Sequence, residues 1–276
     1  MTTETSVSGT GVATIYLAGS ASRVAAEAQG RDLHSDLADA LEALRPARDV
    51  RAIVITGREP GEFCATRPAQ SYRSEAAVRR LLPGQDFART FSGVERTMTG
   101  IVHTEVPVIA MVNGDAFGFG QSVAFACDFI IAREDAVFAD VHLAMGEGRT
   151  SDGRQAGPSF ALVPGDGAST FVPMLMPLQL AKEYLMLGRP LTARDLCALG
   201  IVNRAVPAGE LETVTAEFTR RLLARPADAL AWTKRVVNWR AEQFMSGTLH
   251  SSRAYETLTM FRAAAAGRFE AFGDWE

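Results

Sequence analysis

Apolar positions along the chain recur with two different periods. Residues 11–17 (GVATIYL) alternate apolar and polar side chains, which predicts a strand. Residues 33–44 (LHSDLADALEAL) carry apolar side chains at helical spacing, and Pro46 closes that pattern. Residues 51–56 form a β-branched run bounded by Gly57, which is typical of a parallel strand buried on both faces. The repeated strand–helix–strand order favours an α/β fold with parallel sheets.

A second pattern lies between residues 106 and 140. It predicts an apolar strand, a turn that contains Gly118 and Gly120, a helix, and another apolar strand. Backbone N–H groups of a Gly-rich turn at a helix N-terminus can stabilise negative charge on an oxygen atom. An ordinary turn between a strand and a helix has the same pattern, so this stretch alone leaves both interpretations open.

The chain is predominantly helical from Glu210 onward. The pattern predicts a helix that ends at Ala224, a longer helix through Trp232 and Trp239, and a last helix from Ser251. The apolar side chains on these helices have few partners nearby in the sequence. We therefore expect another subunit to cover them.

Composition narrows the classes of function. A chain of 276 residues with 47% hydrophobic content can form a sizeable core in one domain. The formal net charge of −4 gives no basic surface for nucleic acid or an anionic membrane, and the apolar runs are too short to span a bilayer. The N-terminus lacks a signal-peptide pattern, and the three widely spaced cysteines indicate buried thiols in a reducing compartment. We expect a cytoplasmic protein without a metal site.

Several motifs follow one another in a recognisable order. V-N-G at 112–114 precedes the Gly-rich turn, and C-D-x-x-I-A at 127–132 and A-V-F at 136–138 follow it. Residues 50–65 look like an earlier strand with an F-C-A loop, and residues 184–207 are similar to an L-T-…-G-L-V segment. Together these motifs resemble the crotonase (enoyl-CoA hydratase/isomerase) superfamily over most of the chain. The resemblance implies an α/β fold built as a spiral of ββα units.

The resemblance also implies how the chain is organised. Residues 1–207 would form the crotonase-like α/β spiral core, and residues 208–276 a C-terminal helical trimerisation region. The expected assembly is a homotrimer or a dimer of trimers. Residues 146–158 form a Gly- and charge-rich interruption of the family pattern, either a surface insertion or a segment that shapes the pocket.

Hydratases of this superfamily add water with two glutamates. Alignment on the motifs puts Ser122 at the first position and His142 at or next to the second. Water addition needs acid and base groups, and a serine cannot supply that capacity near neutral pH. A simple hydratase is therefore not predicted.

Asp166 lies in the string VPGDGA, which suits a tight turn. The same string resembles the β-diketone hydrolase branch of the superfamily, in which this position implies a catalytic carboxylate. His34 and His142 extend the resemblance, because that branch places histidines near both positions. An imidazole also titrates near neutrality and can activate water when a carboxylate, here Asp166, orients it. Ser159 is a competing alignment for the position of His142.

The resemblance assigns the oxyanion hole to the backbone N–H groups of Arg67 and Phe119. The pocket would include Ser122, Gly118, Gly120 and Ser159. Coenzyme A binders of the superfamily carry basic residues near the C-terminus, whereas residues 270–276 of this chain are acidic and aromatic. This difference favours a small-molecule carbonyl substrate and no cofactor, with a coenzyme A thioester as the other possibility.

Three hypotheses follow from these observations. The first is retro-Claisen hydrolysis of a β-diketone, in which His142 activates water and Asp166 or His34 protonates the enolate. The second is a double-bond isomerase of an enoyl-CoA thioester, in which Asp166 shuttles the proton. The third is a non-catalytic crotonase-fold protein that serves as an oligomeric binding partner.

Overall fold

The computed structural model describes residues 2–27, 29–64, 85–143 and 162–265. Its strands are β1 (Thr3–Val7), β2 (Val12–Leu17), β3 (Ala52–Gly57), β4 (Gly61–Cys64), β5 (Val108–Val112), β6 (Gly114–Phe117), β7 (Phe129–Arg133), β8 (Val137–Ala139), β9 (Leu191–Thr192) and β10 (Arg204–Val206). Its α-helices are α1 (Ser20–Glu27), α2 (Leu33–Leu44), α3 (Gln85–His103), α4 (Phe119–Ala126), α5 (Ala168–Leu175), α6 (Leu178–Leu187), α7 (Ala193–Ala198), α8 (Leu211–Leu223) and α9 (Ala227–Ala265). A short 3-10 helix covers Ala208–Glu210.

The described strands form two sheets. The larger has six strands in the order β1-β2-β3-β5-β7-β10, and the smaller has four in the order β4-β6-β8-β9. Neighbouring strands are parallel except at β1–β2 and β8–β9. Three times in succession the chain places one strand in the larger sheet and the next in the smaller sheet. This alternation confirms the predicted α/β spiral of ββα units.

Strand β3 shows why the larger sheet is apolar on both faces. All six of its residues are buried. Ile53 and Ile55 point into the main core with α2, whereas Ala52 and Val54 pack in a second cluster with α8. Because side chains alternate across a strand, a strand covered on both sides reads as a continuous apolar run. The prediction of a buried parallel strand is confirmed.

Two polar motif residues hold the core together. The Asn113 side chain accepts a hydrogen bond from the Gly57 N–H at 3.0 Å and donates to the Gly57 carbonyl at 3.1 Å, which ties the end of β3 to β6. Asp128 accepts from the Val108 N–H at 2.7 Å and forms a 2.7 Å ion pair with Lys234 of α9. These residues therefore stabilise the scaffold that positions the site.

Two local expectations need correction, and one strand was not predicted. The predicted Gly-rich turn contains a strand of its own, β6, which pairs with β4 and β8. The polar N-terminus forms β1 at the edge of the larger sheet. The predicted break at Ser251 is wrong, because α9 continues through it. The Ser251 hydroxyl donates to the Gly247 carbonyl at 3.1 Å, so it is satisfied within the helix.

The C-terminal part is helical as expected, and α9 packs against α3 and α5. Among the described helices, α9 included, none is both long and apolar enough to cross a membrane. Cys64 is buried as predicted, whereas Cys127 and Cys197 are only half-buried, and all three are free thiols. The division at residue 207 stays a prediction, and the 146–158 interruption lies outside the described residues.

Candidate active site

The candidate site lies where segments from five parts of the chain meet. His142 lies three positions after the end of β8. Asp166 lies in the loop before α5, and His34 lies in the first turn of α2. The N-terminus of α4 brings Phe119, and the distal part of α9 brings Glu256. The structure therefore brings together the three side chains that the sequence nominated as catalytic.

His142 has a carboxylate on each side of its ring. Its Nδ1 lies 3.0 Å from Oδ1 of Asp140, and its Nε2 lies 3.6 Å from Oδ2 of Asp166 and 3.5 Å from Oε1 of Glu256. The expectation that Asp166 orients the imidazole needs revision, because Asp140 occupies the orienting position on Nδ1. Asp166 instead faces Nε2, the nitrogen available for proton transfer.

Asp166 and Glu256 come from segments that pack tightly on each other. A Cβ atom added to Gly165 would lie 1.9 Å from Oε2 of Glu256, so only glycine allows this approach. Glu256 is buried, and Gly165, the residue before Asp166, packs directly against its side chain. The two carboxyl groups therefore share one environment beside His142.

His34 faces the same carboxylate oxygen of Asp166 as His142 does. Its Nδ1 lies 2.9 Å from Oδ1 of Asp32, and its Nε2 lies 4.0 Å from Oδ2 of Asp166. Asp32 is also the N-cap of α2, since its carboxylate accepts from the Ser35 N–H at 3.0 Å. The His34 ring packs against the Phe119 ring with centroids 4.2 Å apart. Helix capping thus fixes the histidine as well as the helix.

The charges of the cluster follow from burial and pairing. Burial alone lowers the pKa of His142, but the Asp140 carboxylate and the bonds to Asp166 and Glu256 raise that pKa well above its usual value. Burial alone likewise lowers the pKa of His34, but Asp32 raises it above the usual value. Burial raises the pKa of Asp166, but the His142 imidazole outweighs it and holds that pKa below the usual range.

Glu256 behaves differently from its carboxylate neighbour. Burial and then the negative charge of Asp166 raise its pKa to about 7. These shifts favour the charged form of both imidazoles and of Asp166, while Glu256, with a pKa of about 7, changes its protonation near neutral pH. The cluster contains acids and a proton acceptor together.

The predicted oxyanion donor Phe119 is the first residue of α4. Its N–H belongs to the first helical turn, which has no acceptor within the helix. Gly118, the N-cap, has a φ of 52°, a conformation that favours glycine. A Cβ on Gly120 would lie 2.2 Å from the Cys64 carbonyl oxygen, so this glycine lets α4 approach the end of β4. Arg67 lies outside the described residues.

Ser122 does not act as a replacement carboxylate. It is fully buried, and its hydroxyl donates to the Gly118 carbonyl at 3.2 Å within its own helix. Its Cβ lies 3.4 Å from a Cβ placed on Gly167, so it packs close to the loop that carries Asp166, and its place in the substrate pocket stays a prediction. Ser159 lies outside the described residues.

The same cluster has the composition of a metal site. His142, Asp166 and Glu256 each offer one ligand atom, and these atoms lie within 4.8 Å of one another. Of the described residues, these are the ones that could hold a divalent ion. The 3.5 and 3.6 Å separations between Nε2 and the carboxylate oxygens also suit proton transfer with small movements.

Sequence reasoning missed Asp32, Asp140 and Glu256. A local signal was present for the first two, because Asp-x-His occurs at both His34 and His142 and places a carboxylate two residues before each imidazole. Glu256 carries no such signal. It lies in a helix of ordinary composition and joins the site through tertiary packing alone.

Comparisons with known proteins fit this architecture. The sequence profile of the enoyl-CoA hydratase/isomerase family matches residues 10–262. Carnitinyl-CoA dehydratase from Salmonella enteritidis is 30% identical over 200 residues, which cover 72% of this chain and 68% of the relative.

Two solved structures share the fold over nearly the whole chain. An enoyl-CoA hydratase/isomerase from Mycobacterium paratuberculosis is 25% identical with a TM-score of 0.74, covering 94% of this chain and 93% of the other. A β-diketone hydrolase from the cyanobacterium Anabaena sp. PCC 7120, bound to (S)-3-oxocyclohexyl acetic acid, is 21% identical with a TM-score of 0.76, covering 95% of each chain. At this identity the second likeness concerns the fold.

Proposed function

This chain belongs to the enoyl-CoA hydratase/isomerase (crotonase) family, and we propose that within it the enzyme hydrolyses a carbon–carbon bond of a β-diketone by a retro-Claisen route. One observation carries the proposal. Nε2 of His142 faces two carboxyl groups, Asp166 and Glu256, at 3.6 and 3.5 Å. This arrangement suits the activation of water beside a carbonyl carbon.

Water activation requires a group that accepts a proton near neutral pH. Glu256 suits this task because burial raises its pKa to about 7. In the proposed step, His142 passes its Nε2 proton to Glu256 and takes the proton of a water molecule at the same nitrogen. The resulting hydroxide attacks one carbonyl carbon of the diketone and forms a tetrahedral intermediate.

Collapse of that intermediate breaks the carbon–carbon bond. The electron pair of the bond moves into the departing fragment, which leaves as an enolate, while the other fragment becomes a carboxylic acid. The Phe119 N–H at the start of α4 is suited to hold the enolate oxygen, with the Arg67 N–H as the second donor that the family resemblance implies.

The enolate carbon finally needs a proton. His34 is suited to supply it, since its Asp32 partner raises the pKa of the imidazole above its usual value and so favours the protonated form. Asp166 faces Nε2 of His34 at 4.0 Å and can transfer that proton. The proton on Glu256 then returns through His142 and Asp166 to His34, so the enzyme is restored. The overall reaction consumes one water and yields an acid and a ketone, without a cofactor.

A coenzyme A thioester is the second candidate substrate. The name of the Salmonella relative favours it, since that protein is a carnitinyl-CoA dehydratase. For such a substrate, Asp166 would move a proton between carbons of an enoyl-CoA as an isomerase does. A non-catalytic binding role is the third candidate, and the buried charged cluster argues against it because unused buried charges destabilise a fold.

A spectrophotometric screen separates these candidates. We expect loss of the absorbance of a cyclic 1,3-diketone, no measurable hydration of crotonyl-CoA, and loss of the first activity in His142→Gln by about 10²–10⁴-fold. His103→Gln is the matched control, since His103 is an exposed histidine on α3. Thioester turnover that depends on His142, with the diketone untouched, would favour the second candidate instead.

A further inference from the structure

A buried line of hydrogen bonds leads away from His142 into the core. The Tyr184 hydroxyl of α6 donates to Oε1 of Gln121 at 2.5 Å. Nε2 of Gln121, in α4, donates to Oδ2 of Asp140 at 3.1 Å. Oδ1 of Asp140 then meets both the backbone N–H and the Nδ1 of His142, each at 3.0 Å.

Each group in this line has one chemically sensible orientation. Tyr184, Gln121 and Asp140 are fully buried. Burial and then the nearby Asp140 charge raise the pKa of Tyr184 well above its usual value, so the phenol remains a donor. The Gln121 amide must then present its oxygen to Tyr184 and its N–H to Asp140. An ionised carboxylate accepts only, so Nδ1 of His142 carries a proton.

The Nδ1 proton of His142 determines what its other ring nitrogen, Nε2, can do. With Nδ1 committed to Asp140, the exchangeable site of His142 is Nε2, which faces Asp166 and Glu256. The orienting carboxylate is in turn held by a neutral amide, and that amide accepts a hydrogen bond from the Tyr184 phenol. Such outer hydrogen bonds fix the tautomer and the angle of a reactive imidazole.

We propose that Tyr184, Gln121 and Asp140 form a positioning relay that holds His142 with Nδ1 protonated and Nε2 directed at the reacting atoms. The role of the relay in turnover rests on the proposed hydrolysis, whereas its effect on the His142 tautomer does not. All three residues are fully buried and lie on the Nδ1 side of His142, away from Asp166 and Glu256. Their loss should therefore lower kcat and leave KM nearly unchanged.

Histidine ¹⁵N NMR tests the relay without any substrate. The chain has four histidines, so the spectrum of His142→Gln assigns the His142 signals. In the intact enzyme we expect the Nδ1–H tautomer of His142 once the imidazole has lost its second proton at high pH. In Asp140→Asn we expect the Nδ1–H preference to be lost and the pKa of His142 to fall by about one to three units.

Turnover of the diketone gives the second measurement. Asp140→Asn should lower kcat by about 10²–10⁴-fold. Tyr184→Phe removes one hydroxyl and should lower kcat by about 2- to 10-fold, the effect of one hydrogen bond. Tyr16→Phe, on half-buried β2, is the matched control and should leave kcat unchanged. Thermal melting checks that each variant is folded.

The outcomes are separable. An unchanged His142 tautomer and titration in folded Asp140→Asn overturns the relay, and so does an Nε2–H tautomer in the intact enzyme. Equal kcat in Tyr184→Phe and Tyr16→Phe overturns the part assigned to Tyr184. If the intact enzyme turns over no diketone, the proposed function fails, while the NMR result still decides whether the relay sets the tautomer.

Discussion

Two short segments of the site share one local design and differ in what supports them. Asp32-Leu33-His34 and Asp140-Val141-His142 both place a carboxylate against Nδ1 of the imidazole two residues later, at 2.9 and 3.0 Å. Both direct Nε2 towards Oδ2 of Asp166, at 4.0 and 3.6 Å. The cluster is therefore nearly symmetric around one carboxylate.

The supports of the two segments break that symmetry. The His142 side chain is 8% exposed and its Asp140 is fully buried behind Gln121, whereas the His34 side chain is 23% exposed. Asp32 is a helix cap, and its carboxylate also accepts hydrogen bonds from the backbone N–H and the hydroxyl of Ser35. The same tripeptide spacing thus gives a buried imidazole in the core and a more exposed one at a helix end. This difference suits a water-activating group and a proton donor respectively.

The largest effect should come from the residue that both segments share. Asp166→Asn keeps the shape and the turn but removes the charge that faces both imidazoles. We expect kcat to fall by about 10²–10⁴-fold while the fold and assembly survive. Steady-state kinetics and circular dichroism measure the two parts. Wild-type turnover by Asp166→Asn would remove this residue from the mechanism and leave two independent His–Asp pairs.

Glu256 tests the His142 half alone, because it lies 3.5 Å from Nε2 of that residue. The ionised form is the acceptor, and burial raises its pKa to about 7, so kcat should rise as pH increases through about 7. Glu256→Gln should lack this rise of kcat with pH, and its kcat should be lower by about 10²-fold. If kcat of Glu256→Gln still rises with pH through about 7, a group other than Glu256 is responsible for the pH dependence.

Glu256→Gln should lower kcat but raise the stability of the folded protein at high pH. The folded-state pKa of Glu256 is raised above the ordinary value of 4.5. Its contribution to stability is therefore fully present below pH 4.5 and is lost as pH rises through about 7. We expect Glu256→Gln to melt above the wild type at pH 8 and close to it at pH 4.5. Equal melting temperatures at pH 8 would show that Glu256 ionises without cost.

His34 should give a smaller effect than His142. His34→Gln removes a charge-assisted donor, and we expect kcat to fall by about 10-fold. Asp32→Asn keeps the helix cap, since asparagine caps helices as well as aspartate does, but it lowers the pKa of His34. The basic limb of the pH profile should then move to lower pH. Equal losses in His34→Gln and His142→Gln would contradict the division of roles.

Loss of oligomeric assembly should disturb His142 more than His34, because Glu256, which faces His142, lies on α9. That helix exposes Trp232, Val236 and Val237, and we propose that they meet another subunit in a trimer or a dimer of trimers. Light scattering should report such a mass at micromolar concentration. Trp232→Lys with Val236→Lys should lower the mass and reduce kcat a few-fold. A wild-type monomer of unchanged activity would contradict this proposal.

Metal removal should have the smallest effect of all. His142, Asp166 and Glu256 could bind a divalent ion, but the proposed mechanism uses them as proton carriers. Dialysis against a chelator should leave kcat unchanged. A loss of activity that added zinc or manganese restores would replace the proton-transfer assignment with metal catalysis.

The fold was predictable where its causes are local. The helix over 33–44 and the strand near 51–56 agree with α2 and β3 because apolar periodicity is read from neighbouring residues. Strand β1 was not predicted, since four of its five residues are exposed and its apolar signal is weak. The break placed at Ser251 failed because the serine hydroxyl bonds within the helix.

The site was predictable only in part for a related reason. Family resemblance nominated His34, His142 and Asp166, and the structure brings them together. Glu256 could not be found this way, because its role depends on the contact between α9 and Gly165. Packing between distant segments leaves no periodic pattern in the sequence. The two Asp-x-His tripeptides, in contrast, are local patterns that indicate a carboxylate beside each imidazole.

The position of Glu256 in α9 also has a consequence for biosynthesis. The ribosome completes His34, His142 and Asp166 roughly ninety residues before it delivers Glu256. At about 5–20 residues per second, translation of that interval takes on the order of ten seconds. During this time the nascent chain can fold its sheets around a cluster that lacks its proposed proton acceptor. In the proposed mechanism, turnover would therefore begin only after the last long helix has docked.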